Sequence, residues 1–193
     1  MNLKDLEYVP SYTLSLTSAL HRIQRTRARP RSVAIGPLRT PPRGLLTCRF
    51  DLHDAEVGYF AESPEAAAFE AIFRREATAV AVSMLIKRTL LALQVVKPLV
   101  LLDLRPHAPG WPVLQSLRYG ATQELALDAR NSGFAGVVYR SAQQYGSDCF
   151  AVFGEALRGL KLTSKATLVH PTTGALHRVG AYAARRSGIL LVP

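Results

Sequence analysis

The sequence predicts a single α+β domain, and three observations carry that reading. Most apolar residues fall in short runs of strand length. Two segments, 63–76 and 121–131, instead show helical spacing with start or stop signals. The chain of 193 residues, 48% hydrophobic and 20% charged, suits one core. No composition shift, internal repeat or low-complexity tract divides it. The expected organisation is one domain over 1–193, with a core of about 20–155 and a basic C-terminal extension over 156–193.

The elements follow in order. Residues 1–18 read as a short arm or helix. His21-Arg22-Ile23 is a short strand, and residues 25–43 form a long Arg/Pro-rich loop. Leu45 to Asp51 and Glu56 to Ala61 read as strands of a hairpin joined by an Asp/His-rich link. Ser63-Pro64-Glu65 is a strong helix start: serine caps, proline suits the first helical position, and glutamate complements the dipole. That helix is expected to run to about Glu76. Its apolar face is Ala66, Phe69, Ile72 and Phe73, with Glu70 at the rim and Arg74 and Arg75 further out. Residues 77–104 are strand-rich, broken at Lys97-Pro98. Pro106 to Pro112 is a loop around Trp111. Ala121 to Asn131 is a helix with Leu125, Ala126 and Ala129 inside, ended by Ser132-Gly133. Gly136–Tyr139 and Cys149–Phe153 are apolar strands joined by a polar loop. The tail from Lys161 reads as a final hairpin or a partner arm.

Bulk properties exclude several classes. The longest apolar stretch, Leu90 to Leu104, is broken by Gln94, Lys97, Pro98 and Asp103, which argues for buried strands over a membrane span. The N-terminus lacks the basic-then-apolar order of a signal peptide. Cys48 and Cys149 have no metal-like spacing and read as buried thiols in a reducing cytoplasm. Net charge is +10 and unevenly spread: Tyr8 to Phe50 contains no Asp or Glu but eight arginines. Arginine suits bidentate pairing to phosphate or carboxylate. A nucleic acid, a phosphorylated small molecule or an acidic protein surface would each satisfy it, while most of Arg25 to Arg43 reads as solvated loop.

Common catalytic signatures are missing. There is no phosphate-binding Gly-x-x-x-x-Gly-Lys, no helix-opening Gly-x-Gly-x-x-Gly, no His-x-x-x-His metal pair and no nucleophile elbow around Ser141. What remains is Arg22, Arg49, Tyr59, Glu70, Tyr139 and Ser141. Two arginines on strands can clamp a pyrophosphate. Tyr59 can stack on a heterocycle. Glu70 can bond a ribose hydroxyl or stabilise an oxocarbenium ion. Ser141 can hold a phosphate or orient Glu70. Each also has a structural reading: Arg49 paired with Asp51 or Glu70, Tyr59 in the core, Ser141 bonding its own turn.

Taken together, these segments resemble the RES-domain family, named for its Arg, Glu and Ser residues. The resemblance covers roughly residues 20–155. It is carried by Arg22, by Arg49-Phe50, by Gly58 to Glu70 with its Tyr59, Pro64, Ala67 and Glu70, and by Gly136-Val137-Val138-Tyr139-Arg140-Ser141. It implies an ADP-ribosyltransferase-like α+β domain with a split, mainly antiparallel sheet flanked by helices. It also implies an NAD-degrading toxin that cleaves the nicotinamide–ribose bond by hydrolysis or phosphorolysis. Arg22 and Arg49 would bind anion, Tyr59 and Tyr139 would line the NAD site, and Glu70, Ser141 and Arg49 would be catalytic. NAD would be substrate, with no cofactor and no metal. The implied partner is a cognate helix-turn-helix antitoxin, DNA being met only through it; a homo-oligomer is another use for the basic surface, and no membrane is expected.

The chain departs from the family pattern around Arg49. Thr47-Cys48 stand where glycines are usual, and Asp51 follows the aromatic in place of Asn. A side chain at Cys48 narrows backbone access to phosphates, and Asp51 adds negative charge near an anion. Two rival readings remain at this stage: an ADP-ribosyltransferase acting on a macromolecule, and a non-enzymatic nucleic-acid binder. Against the second, no aromatic residue interleaves the arginine run between Tyr12 and Phe50.

Overall fold

The computed structural model describes residues 1–193. After a short 3-10 turn the chain forms β1 (Ser11–Leu14) and β2 (Ala19–Arg25), then the hairpin β3 (Val33–Ile35) and β4 (Leu38–Thr40). It continues through β5 (Val57–Ala61), α1 (Pro64–Ala71), β6 (Ala79–Ala81), α2 (Val82–Ile86), β7 (Arg88–Val95) and β8 (Leu99–Asp103). Next come α3 (Gly120–Asn131), β9 (Gly136–Arg140), β10 (Asp148–Phe153), β11 (Leu160–Thr167), α4 (Arg178–Ser187) and β12 (Leu190–Val192).

Eight strands form one sheet in the order β1-β8-β9-β10-β5-β2-β7-β11. Every pairing in it is antiparallel except β8 with β9. This is the mainly antiparallel α+β arrangement that the family resemblance implies. The sheet is split at β5–β2, where one residue pair, His21 with Ala61, is the whole register. By contrast β2 and β7 pair along seven positions.

Strand alternation sends side chains to two cores. Ala61, Tyr139, Cys149 and Ala151 face the larger one with the apolar face of α1, whereas Phe60, Val138, Phe150 and Val152 pack in the smaller one on the other side. The β9–β10 contact is close: a Cβ at Gly136 would lie 2.2 Å from the Ala151 carbonyl oxygen, so only glycine keeps this register. Gly133, at φ +91°, ends α3 as expected.

Several elements differ from expectation. The Leu45–Asp51 segment is no strand. The Asp51 carboxylate accepts the Cys48 N–H at 2.8 Å and closes a local turn, which competes with ladder pairing. Thr122 and Gln123 of α3 then take the carbonyls of Arg49, Cys48 and Leu46. Helix α1 stops at Ala71 rather than Glu76, because both Ile72 and Phe73 direct their N–H groups to the Ala68 carbonyl and turn their side chains into the core. The N-terminal arm contributes β1 as an edge strand on β8. The tail is no hairpin: β11 pairs with β7, α4 packs near α1, and β12 runs parallel to β6. No helix is long and apolar enough to cross a membrane.

Candidate active site

Where β2 and β5 part, Arg22 fills the gap. Its guanidinium donates to the Tyr59 carbonyl at 3.1 Å and to the Arg39 carbonyl at 3.0 Å, and lies 5.7 Å from the Phe60 ring centroid. Its Nε has no partner, and no carboxylate pairs with it. Burial lowers its pKa to about 10, against the raising influence of Cys48 and Tyr59.

Arg49 stands in the turn that Asp51 closes, rather than on the expected strand. It donates to the Gln115 carbonyl at 3.2 Å and lies 5.8 Å from the Tyr139 ring centroid. Its Nε is also unpartnered. Phe50, fully buried, packs on Tyr139 with ring centroids 4.8 Å apart. Tyr59 fixes the same turn from β5: its hydroxyl donates to Asp51 at 2.9 Å and accepts the Phe50 N–H at 2.9 Å. Burial, then the Asp51 charge, hold that phenol well above its ordinary pKa, so it stays protonated. The Asp51 charge is thus engaged in building the turn.

Glu70 lies on the last turn of α1. Its carboxylate accepts the Ser141 hydroxyl at 2.5 Å. Ser141, just past β9, in turn accepts the N–H groups of Gln143 and Gln144 at 3.0 and 2.8 Å. Its proton and both lone pairs are thereby engaged, which fixes the Glu70 carboxylate against the loop after β9. Gln143 repeats the tie, accepting the Arg75 N–H at 2.7 Å.

These residues surround one cavity of about 250 Å³, lined by Arg22, Arg49, Tyr59, Glu70 and Tyr139, with Ser141 buried behind Glu70. All six residues singled out in the sequence therefore meet. Reasoning from sequence missed Arg74, Tyr119 and Gln143, which also line it. Arg74 was expected further out; the early end of α1 returns it. The proximity of Gln143 to Ser141 was the only available signal. Cys48 and Cys149 line the cavity as free thiols whose pKa values burial raises. No group of three His, Cys, Asp or Glu side chains is arranged to hold a metal. The chemistry on offer is a fixed carboxylate facing two arginine forks that lack carboxylate partners.

Fold and site together define a mainly antiparallel α+β domain with an arginine-lined cleft at the split of its sheet. The RES domain model matches residues 19–171, and the chain belongs to that family. The match runs past the 20–155 of the recognised resemblance and takes in β11. A chain in the crystal structure of the M. tuberculosis MbcT–MbcA toxin–antitoxin complex has a similar fold, with a TM-score of 0.55 and 19% identity over 81% of this chain and 86% of that one. No curated protein matches the sequence.

Proposed function

We propose that the protein is the toxin of a toxin–antitoxin pair and depletes NAD by cleaving its nicotinamide–ribose bond. The observation that carries this reading is the Glu70 carboxylate, immobilised by Ser141 in a cavity whose other wall holds Arg22 and Arg49. Membership of the RES family supports it, and the fold shared with a chain of a toxin–antitoxin complex supports a cognate antitoxin as partner; its helix-turn-helix type is what the family resemblance implies.

The mechanism follows from the substrate's charge. Nicotinamide in NAD is already cationic, so it leaves without a general acid: the C1′–N bond breaks and its electron pair goes to the ring nitrogen. The ribosyl centre becomes an oxocarbenium-like cation. Glu70 stabilises that cation electrostatically, and it does so without reorganising because Ser141 has fixed it. Arg22 and Arg49 hold the pyrophosphate, and Tyr59 and Tyr139 bound the ring pocket. Water then adds to C1′, loses a proton and yields ADP-ribose; phosphate in its place yields the 1″-phosphate.

The deciding experiment measures NAD loss by the purified chain with and without phosphate and identifies the product. Free ADP-ribose or its phosphate supports the reading. Label transferred from NAD to a macromolecule makes the protein an ADP-ribosyltransferase instead, and no NAD loss at all defeats both.

A further inference from the structure

A second hollow, of about 560 Å³, adjoins the first; Arg22, Ile23 and Thr47 line both. Beyond Arg22 its wall carries Arg25, Arg27, Arg29, Arg31, Arg39 and Arg88, and no Asp or Glu. None of these six forms a salt bridge; the ion-paired arginines are Arg43, Arg74, Arg105, Arg130, Arg140 and Arg158, all elsewhere. A solvated basic loop would spread such charges apart. Here the fold concentrates them. Arg25 and Arg88 are direct cross-strand partners at the end of the β2–β7 ladder, where like charges destabilise pairing. Arg88 responds: burial, then the charges of Arg25 and Arg29, lower its pKa.

The arrangement asks for an anion in the hollow. The pyrophosphate of NAD carries two negative charges, which Arg22 and Arg49 already match. Six further cations exceed what NAD needs. The first cavity is also too small for a whole dinucleotide, since ligand pockets of drug size start at about 300 Å³, so the adenosine half must extend beyond it. A hollow entered past Arg22 lies on the far side of the pyrophosphate clamp. Its lining contains no aromatic residue on which a run of successive bases could stack, so its cations point to a phosphate group rather than to an extended nucleic-acid strand.

We infer that this hollow receives the adenosine half of the substrate and binds an additional phosphate on it, so that the preferred substrate is the dinucleotide phosphorylated on its adenosine ribose, NADP. The inference rests on the glycosidic-cleavage reading above. The reaction is unchanged: the same C1′–N bond breaks, and nicotinamide and phospho-ADP-ribose are released. The Arg25–Arg88 pair becomes a two-fork phosphate clamp, and the like-charge opposition is relieved by the ligand.

Steady-state cleavage of NAD and NADP by the full chain tests this. The expected result is a kcat/KM for NADP about tenfold or more above that for NAD, the worth of one charge-assisted phosphate contact. The Arg25→Ser/Arg88→Ser double variant should bring that ratio to about one. Cleavage of NAD at equal or greater efficiency overturns the inference while leaving the glycosidic reading intact, as does a preference that survives the double variant. Should neither dinucleotide be cleaved, the glycosidic reading fails, and calorimetry with adenosine 2′,5′-bisphosphate and AMP decides the site alone. Tighter binding of the bisphosphate, lost in the double variant, supports it; equal affinities overturn it. A short single-stranded DNA that displaces the bisphosphate at lower concentration would make the hollow a nucleic-acid surface and also overturn it.

Discussion

The Ser141 hydroxyl donates to Glu70 across 71 residues of sequence and 2.5 Å of space, while two loop N–H groups hold the serine oxygen from behind. The carboxylate is thereby aimed by backbone rather than by another flexible side chain. Glu70→Gln keeps the shape and removes the charge, so NAD cleavage should fall about a hundredfold or more, as loss of a main electrostatic stabiliser does. Its thermal midpoint should hardly move. Near-normal turnover in this variant would remove Glu70 from the mechanism.

Ser141→Ala separates orientation from charge. It leaves the Glu70 carboxyl group in place but unaimed, and strands the Gln143 and Gln144 N–H groups. A stability loss of about 1–3 kcal/mol is expected in urea unfolding, with kcat falling more than KM rises. Ser141→Thr, which keeps the hydroxyl, should recover part of the rate. If Ala and Thr variants are equally slow, the hydroxyl is not what aims Glu70.

Tyr59→Phe removes the clamp on the Arg49 turn. Asp51 and the Phe50 N–H both lose a partner inside the protein, at a cost of about 1–3 kcal/mol. A loosened turn displaces Arg49, so KM for NAD should rise while kcat changes less. A variant with wild-type KM would show that the turn holds its shape without Tyr59.

Arg22 is charged without a carboxylate partner, and its folded pKa of about 10 lies below the ordinary value of 12.5. The sign is unfavourable to the empty protein: the charge costs stability throughout the range below pH 10, and the cost is relieved only as pH rises through the folded pKa. Arg22→Met should therefore leave the thermal midpoint unchanged or raise it, yet abolish the stabilisation that ADP-ribose gives the wild type. A clear loss of stability in Arg22→Met would show that its two carbonyl hydrogen bonds outweigh the burial of charge.

A fourth group links the site to acid. Arg105 donates to both Asp103 and Asp148, and Arg140 donates to Asp148, joining β8, β9 and β10 at the loop that bears Ser141. Burial works against the Asp103 charge, but the Arg105 hydrogen bonds outweigh it and hold the pKa below the ordinary carboxylate range. Its contribution is present above the unfolded pKa and is lost as pH falls through the folded one. Wild-type stability should decline below about pH 4, and Asp103→Asn should flatten that decline.

The sequence announced Glu70 well, because a Ser-Pro-Glu helix start fixes helix phase, and phase places a residue. It announced Ser141 through the apolar run before it. Arg49 was legible as a site residue but not as a turn residue, since the local Asp51 bond to the Cys48 N–H is set in place by Tyr59, which reaches it from another strand. The tail was the least legible part. Its strand, Leu160–Thr167, carries polar residues on an exposed edge and so lacks the alternation that reveals a half-buried strand. The cross-strand opposition of Arg25 and Arg88 needs a register that no local pattern specifies.

The split between β2 and β5 has a temporal consequence. β5 is held on its other side by β10, whose residues are synthesised some ninety positions later, and Ser141 lies only just before β10. A nascent chain that has exposed Arg22, Arg49 and Glu70 still lacks the strand that supports β5 and the hydroxyl that aims the carboxylate. Such long-range closure is slow relative to local folding. The complete site therefore forms late in synthesis, and a truncated product ending before β9 carries its pieces without its chemistry.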